Sequence, residues 1–222
     1  MSIYAFYGLA DMTFLIAMQA RDSVVVSADN KILISNSAQD VFDKSVHAEK
    51  IHYWDGGVLT GTGEYCVIYR MLKYLRNGID ILLLPSLLEK EKEFRRREVG
   101  RCDQIDITQL IVSAPTEHGP RLYIVSSQSV EQVTPGELLI FFPLDYDFFS
   151  VSSNAISSLN ASINAKESFS TPAKWVNFYA ARFVEIYLLQ HQGNEQISES
   201  FHMYFQASDF ARTFFVPNAH HC

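Results

Sequence analysis

The sequence has few of the features that mark secreted or membrane proteins. Its three cysteines, Cys66, Cys102 and Cys222, form no CxxC pair, so no disulfide framework is indicated. The longest aliphatic runs, Ile81–Leu84 and Leu138–Phe142, are far shorter than the ~20 residues that span a bilayer. The first residues lack the basic segment of a secretory signal. We therefore expect a cytoplasmic protein with reduced thiols and no membrane partner.

Positive charge is also scarce. Lysine and arginine number 18 against 25 acidic residues, a formal net charge of −7. Proteins that bind nucleic acid normally carry a basic surface, so we expect no nucleic-acid partner. Hydrophobic residues make up 48% of the 222 positions, which predicts one large domain that folds without disulfides or metals.

Hydrophobic spacing divides the chain into groups of strands and groups of helices. The predicted helices cover residues 64–77, 86–99, 152–165 and 171–193. The predicted strands are Thr13–Met18, Ser23–Ala28, Lys31–Ser35 paired with His47–Trp54, Val58–Thr60, Gln109–Ala114, Arg121–Ser126, Leu138–Phe142, Phe148–Val151, Phe201–Gln206 and Thr213–Val216. Segregated groups of this kind favour an α+β fold, with two sheets and a pair of helices on each outer side.

Four stretches stand out in this order: TFLIAMQARDSVVVSADNK (Thr13–Lys31), KIHYWDGGVLTGTG (Lys50–Gly63), HGPRLYIVSS (His118–Ser127) and FFSVSSNA (Phe148–Ala155). Together they resemble the proteasome β subunits and their bacterial relatives, which are N-terminal-nucleophile hydrolases. The resemblance implies a four-layer αββα sandwich and a single peptidase domain over residues 13–222. It also implies a threonine-type endopeptidase in a homo-oligomeric ring, with no cofactor.

The resemblance assigns roles to residues near the start of the chain. Thr13 opens the first strand, as the catalytic threonine of the family does, and Asp29 closes the second strand sixteen residues later. Lys50 matches the lysine that begins a following strand ahead of a glycine-containing turn. Lys44 is a competing candidate, although no strand is predicted to start there.

Two further family elements are matched with departures. Ser153 resembles a serine that follows a strand, but Ser152 and Asn154 replace the glycines that usually flank it. Glu195 and Ser198 correspond to an aspartate-x-x-serine group. Glutamate is one methylene longer than aspartate, so its carboxylate reaches the same place only if the backbone adjusts.

The chemistry of such a site follows from ordinary acidities. A hydroxyl is a weak nucleophile and needs an adjacent base, and a free α-amine on Thr13, with a pKa of about 8, could accept its proton. A nearby Lys50 ammonium would lower the pKa of that amine, and Asp29 would keep the lysine charged. By resemblance, backbone amides around Gly61 and Gly63 would bind the oxyanion of the tetrahedral intermediate.

This mechanism requires that residues 1–12 are absent, because only then is the amine of Thr13 free. They are interpreted either as a propeptide cut at the Met12–Thr13 bond or as a mis-assigned extension, with translation beginning at Met12. We favour the second interpretation. If neither holds, the chain is a non-catalytic ring subunit.

The resemblance also sets expectations about substrates and partners. Active sites that face an enclosed space would admit peptides or unfolded proteins, and an unfoldase partner is left open. A small-molecule amidase is a further alternative, because the same nucleophile serves other amide hydrolases.

Overall fold

A computed structural model of the chain describes residues 3–8, 13–35, 42–143, 148–195 and 197–217. Its strands are β1 (Ile3–Gly8), β2 (Leu15–Gln19), β3 (Ser23–Asp29), β4 (Lys31–Ser35), β5 (Phe42–His47), β6 (His52–Trp54), β7 (Gly57–Thr62), β8 (Gln109–Thr116), β9 (Gly119–Val125), β10 (Val130–Gln132), β11 (Glu137–Pro143), β12 (Phe201–Ala207) and β13 (Phe210–Val216). Its α-helices are α1 (Tyr65–Arg76), α2 (Leu84–Val99), α3 (Asp103–Ile107), α4 (Phe148–Ala161) and α5 (Pro172–Gly193). Short 3₁₀ helices cover Ile81–Leu83 and Lys166–Ser168. The predicted α+β class is confirmed.

The first sheet has six strands in the order β1-β11-β2-β3-β12-β13. Its central strands pair antiparallel, and β1 joins β11 in parallel. Strand β3 is buried on both faces, which suits its run of three valines. Val25 packs toward helices α4 and α5, whereas Val24 and Val26 pack toward the other sheet.

The second sheet has five strands in the order β10-β9-β8-β7-β6, and β4 pairs with β5 in a separate ribbon. Along β8, Leu110 and Val112 contact helices α1 and α2, while Ile111 packs toward the first sheet. Each sheet thus has one face against helices and one face against an apolar cluster that includes residues of both sheets.

Local sequence explains where the main helices begin. The Glu64 carboxylate caps α1 by accepting a hydrogen bond from the Val67 amide at 2.8 Å. Thr171 caps α5 through the Lys174 amide, and Pro172 occupies the first turn as predicted. None of the helices in the described ranges combines the length and apolar character that crossing a bilayer requires.

Two expectations about elements are corrected. Residues 148–151 form the first turn of α4 instead of a strand, although their aromatic and β-branched composition favours a strand. The strand Lys31–Ser35 pairs with Phe42–His47, while His52–Trp54 pairs with β7. Helix α3 is not among the predicted helices. It has one buried apolar residue, Ile105, and is too short to show a hydrophobic period.

Candidate functional site

The start of β2 and the end of β3 hold each other at one end of the first sheet. The Phe14 amide donates a hydrogen bond to Asp29 Oδ1 at 2.9 Å, and the Asp29 amide donates to the Phe14 carbonyl at 3.0 Å. Thr13 directly precedes Phe14 and is buried. The antiparallel register of β2 and β3 therefore fixes the threonine strand to the aspartate.

Lys50 connects these two predicted site residues. Its Nζ lies 2.7 Å from Asp29 Oδ1 and 3.4 Å from Thr13 Oγ1. Lys50 is 7% exposed and Asp29 is fully buried. The other lysine candidate, Lys44, lies in β5 opposite Ile34. The structure thus brings Thr13, Asp29 and Lys50 together, and we call these three residues the threonine cluster.

Both carboxylate oxygens of Asp29 are occupied. Oδ1 accepts from Lys50 and Phe14, and Oδ2 accepts from the Lys31 amide at 3.1 Å. A buried carboxylate that accepts from backbone donors and from a cationic partner is fixed in one orientation. The lysine is in turn fixed by that anion, so its ammonium points at the threonine hydroxyl.

Ser153 is not brought to the threonine cluster by a direct hydrogen bond. It lies in the second turn of α4, half-buried, and makes no side-chain hydrogen bond to Thr13, Asp29 or Lys50. The neighbouring Ser152 is the buried serine, and its Oγ accepts from Gln190 Nε2 of α5 at 2.7 Å. The role predicted for Ser153 stays a prediction.

Glu195 and Ser198 are placed differently from each other. The Glu195 side chain is exposed, and it is the carbonyl of this residue that accepts a hydrogen bond from Lys31 Nζ at 2.6 Å. The structure therefore does not bring the Glu195 carboxylate to the threonine cluster. Ser198 is buried, and its Oγ lies 2.8 Å from Ser200 Oγ.

Ser198 reaches the site through two residues that sequence reasoning missed. Ser200 Oγ donates to Asn30 Oδ1 at 2.9 Å, and Asn30 follows Asp29 in the chain. His47 Nδ1 lies 3.1 Å from the same Asn30 oxygen. In the sequence, these two residues could be linked to the site only by their positions. Asn30 directly follows Asp29, and Ser200 lies two residues after Ser198.

The two predicted oxyanion glycines lie at the end of β7. Gly61 faces Leu110 of β8, and a Cβ there would lie 2.2 Å from the Gln109 carbonyl oxygen. Gly63 has a φ of +100°, and a Cβ there would lie 2.5 Å from Thr108 Cα. Gly61 is glycine because the backbone of β8 lies too close for a side chain. Gly63 is glycine because neighbouring backbone lies equally close and because its φ is positive. Their oxyanion role stays a prediction.

The threonine cluster places a cation and a carboxylate beside a threonine hydroxyl. An ammonium near an oxygen favours its alkoxide form and disfavours protonation of a neighbouring amine. Within the ranges that the structure describes, no group of three His, Cys, Asp or Glu side chains is arranged to hold a metal ion.

Known proteins are similar to this chain in structure, whereas no protein-family model and no curated protein sequence matches it. The Gly-1 mutant of Anbu from Hyphomicrobium sp. strain MC1 aligns with a TM-score of 0.63 at 11% identity, covering 92% of this chain and 88% of that one. Anbu from Yersinia bercovieri, described as an ancestral beta-subunit, aligns with a TM-score of 0.62 at 10% identity, covering 93% and 89%. The chain therefore shares the fold of these proteins, which agrees with the predicted β-subunit resemblance at the level of the fold.

Proposed function

We propose that the chain is an N-terminal-nucleophile amide hydrolase that cleaves peptide bonds through Thr13. The observation that carries the proposal is the position of the Lys50 ammonium between Asp29 Oδ1, at 2.7 Å, and Thr13 Oγ1, at 3.4 Å. A surface lysine would be solvated and mobile, whereas this one is buried and directed at a hydroxyl. The fold shared with Anbu supports the same assignment.

The reaction requires a free α-amine on Thr13. That amine takes the proton of Oγ1, directly or through water, as the oxygen attacks the carbonyl carbon of the substrate. Collapse of the tetrahedral intermediate breaks the C–N bond and returns the proton to the departing amine. Water then attacks the ester, releases the acid product and restores Thr13.

Lys50 and Asp29 act on the charges that form during these reaction steps. The ammonium lowers the pKa of the neighbouring amine, so more of it is neutral and able to accept a proton. We propose the amides around Gly61 and Gly63 as donors to the oxyanion, each such donor contributing roughly 3–4 kcal/mol to lowering the barrier. Ser198 is proposed to support the site through Ser200 and Asn30, and Ser153 and Glu195 have no direct contact with the threonine cluster that supports a role.

The arrangement of the apolar clusters supports a four-layer αββα sandwich. One cluster joins α4 and α5 to the first sheet, one contains residues of both sheets, and one joins the second sheet to α1 and α2. Layers in that order are what the β-subunit resemblance implies. A homo-oligomeric ring is proposed on the same basis, supported by exposed apolar side chains on and beside α1 and α2, among them Tyr69, Leu82 and Phe94.

The test is covalent labelling of Thr13 by a peptide epoxyketone, which reacts with a hydroxyl and an amine of the same residue. The purified chain should gain one inhibitor mass, located on Thr13 by peptide mapping, and N-terminal sequencing should begin at Thr13. Thr13→Ala should take up no label. An unlabelled chain whose sequence begins at Thr13 would overturn the proposal.

A non-catalytic subunit is a second candidate, favoured by one observation. Residues Ile3–Gly8 form β1 and pair with β11 along six residue pairs of the first sheet. A segment that remains built into the sheet would keep the nitrogen of Thr13 in a peptide bond. N-terminal sequencing that begins before Thr13, together with assembly into a ring, would favour this candidate.

A further inference from the structure

We propose that Tyr187 of α5 is a positioning residue that holds the nucleophile strand from the helix side of the first sheet. The inference rests on the proposed function of Thr13. Tyr187 is fully buried, and its hydroxyl lies 3.3 Å from the Phe14 carbonyl oxygen and 3.2 Å from Ser27 Oγ. Phe14 directly follows Thr13, so the hydroxyl is hydrogen-bonded to the carbonyl of the residue next to the nucleophile.

The ring of Tyr187 contacts the residue that precedes β2 and the first residue of β12. It packs edge-on against Phe14, with ring centroids 4.9 Å apart, and stacks on Phe201 at 4.0 Å. Phe201 is the residue of β12 that pairs with Asp29. One side chain thus contacts the neighbour of Thr13 and the cross-strand partner of Asp29.

The Tyr187 hydroxyl keeps its proton and is therefore available as a hydrogen-bond donor. Burial raises the pKa of Tyr187 well above its usual range, so the side chain stays neutral and protonated. The Phe14 carbonyl also accepts from the Asp29 amide, so the tyrosine adds a second donor to a carbonyl that is already engaged. Two donors on one carbonyl restrict rotation of the peptide that precedes the strand.

Such restriction matters because Thr13 Oγ1 must stay aligned with Lys50 and with a substrate carbonyl. A displacement of about 1 Å at a reacting group can cost on the order of 100-fold in rate. Loss of the single tyrosine hydroxyl leaves the ring stacking in place and removes the contacts with the Phe14 carbonyl and Ser27 Oγ. We therefore expect Tyr187→Phe to slow the reaction of Thr13 on the order of 10-fold, with binding of the probe unchanged.

The experiment compares Tyr187→Phe with Tyr179→Phe in the full chain. Tyr179 is a matched control, because it is buried in the same helix and its hydroxyl is hydrogen-bonded to backbone atoms of Ser162 and Asn164, away from the threonine cluster. Labelling by the peptide epoxyketone at several concentrations separates the maximal inactivation rate from the apparent affinity. Only Tyr187→Phe should lower the maximal rate.

Hydrogen exchange supplies a readout that does not depend on reactivity. The Asp29 amide, which donates to the Phe14 carbonyl, should exchange faster in Tyr187→Phe and at the wild-type rate in Tyr179→Phe. The inference is overturned if the two variants lower the maximal rate equally, or if exchange at Asp29 is unchanged. If the wild-type chain takes up no label, the proposed function fails while the exchange comparison still decides whether Tyr187 holds the strand.

Discussion

Phe14 and Asp29 are joined by two hydrogen bonds that run in opposite directions. The Phe14 amide donates to the Asp29 carboxylate, and the Asp29 amide donates to the Phe14 carbonyl. Because Lys50 binds the same carboxylate oxygen, the cation, the carboxylate and the start of β2 are linked directly to one another.

Breaking the Lys50–Asp29 ion pair should destabilise the protein strongly. Lys50→Ala leaves a fully buried carboxylate without its cation, and we expect a loss of about 3–5 kcal/mol in the free energy of unfolding. Urea denaturation measures this. Arg97→Ala is the control, because the Arg97–Glu93 pair is largely exposed and should contribute at most about 1 kcal/mol. Equal losses in the two variants would contradict the buried pair.

Pairing Lys50→Met with Asp29→Asn should separate stability from reactivity. The double variant removes both charges, so it should recover part of the stability that Lys50→Ala loses; the recovery is incomplete because an asparagine side chain has one acceptor oxygen for the Phe14 and Lys31 amides. It should still take up no epoxyketone, because no ammonium remains beside Thr13. Labelling at the wild-type rate would remove Lys50 and Asp29 from the proposed mechanism.

Gly63→Ala should perturb the end of β7. Its φ of +100° is unfavourable for alanine, and the new Cβ would meet Thr108 backbone at 2.5 Å. We expect a loss of about 3 kcal/mol in the free energy of unfolding. Gly78→Ala has a positive φ without close neighbours, so it should cost only about 1 kcal/mol. Denaturation curves that coincide for the two variants would show that contact at Gly63 is unimportant.

Stability should fall as the pH drops below about 6.5, in part because of His52. Burial lowers the pKa of His52, so below that pH the unfolded chain binds a proton that the folded chain does not, and unfolding is favoured. His52→Gln should therefore show a shallower decline of the unfolding free energy between pH 7.5 and 5.5. His118→Gln, at an exposed turn, is the control. An unchanged slope in His52→Gln would contradict the prediction.

Gln19 should matter because its buried amide joins the two sheets. Its Nε2 donates to the Pro120 carbonyl at 3.2 Å and its Oε1 accepts from the Leu122 amide at 2.7 Å. Gln19→Ala leaves these backbone groups buried without that partner, at a cost of about 2–3 kcal/mol. Gln132→Ala, at an exposed position of β10, should cost little when measured by the same thermal or urea unfolding. Similar losses in both would argue against the sheet-to-sheet link.

The sequence predicts the threonine cluster better than the residues around it. Thr13 and Asp29 sit at the ends of two adjacent strands, and antiparallel pairing brings such ends together whatever the details of the loops. Lys50 follows from its position before a strand of the opposite sheet. The predicted β-subunit resemblance, and not the order of elements alone, singles out these three residues, because Lys44 competes with Lys50 in the sequence.

The positions of the supporting residues depend on tertiary contacts that a local sequence pattern does not encode. Residues 148–151 have strand-like composition but form a helix, so the environment expected for Ser153 after a strand is absent. The contact of Ser200 with Asn30 joins positions 170 residues apart, and a single polar contact at that separation leaves no periodic signal. Tertiary packing determines both the helical conformation of residues 148–151 and the contact of Ser200 with Asn30.

Strand β1 also determines what the sheet presents to other molecules. It lies at the edge of the first sheet and occupies the outer hydrogen-bonding side of β11. If cleavage before Thr13 is followed by dissociation of β1, the outer backbone donors and acceptors of β11 become available for pairing with another extended chain. Maturation of the nucleophile and self-association by strand addition would then be two results of the same cut.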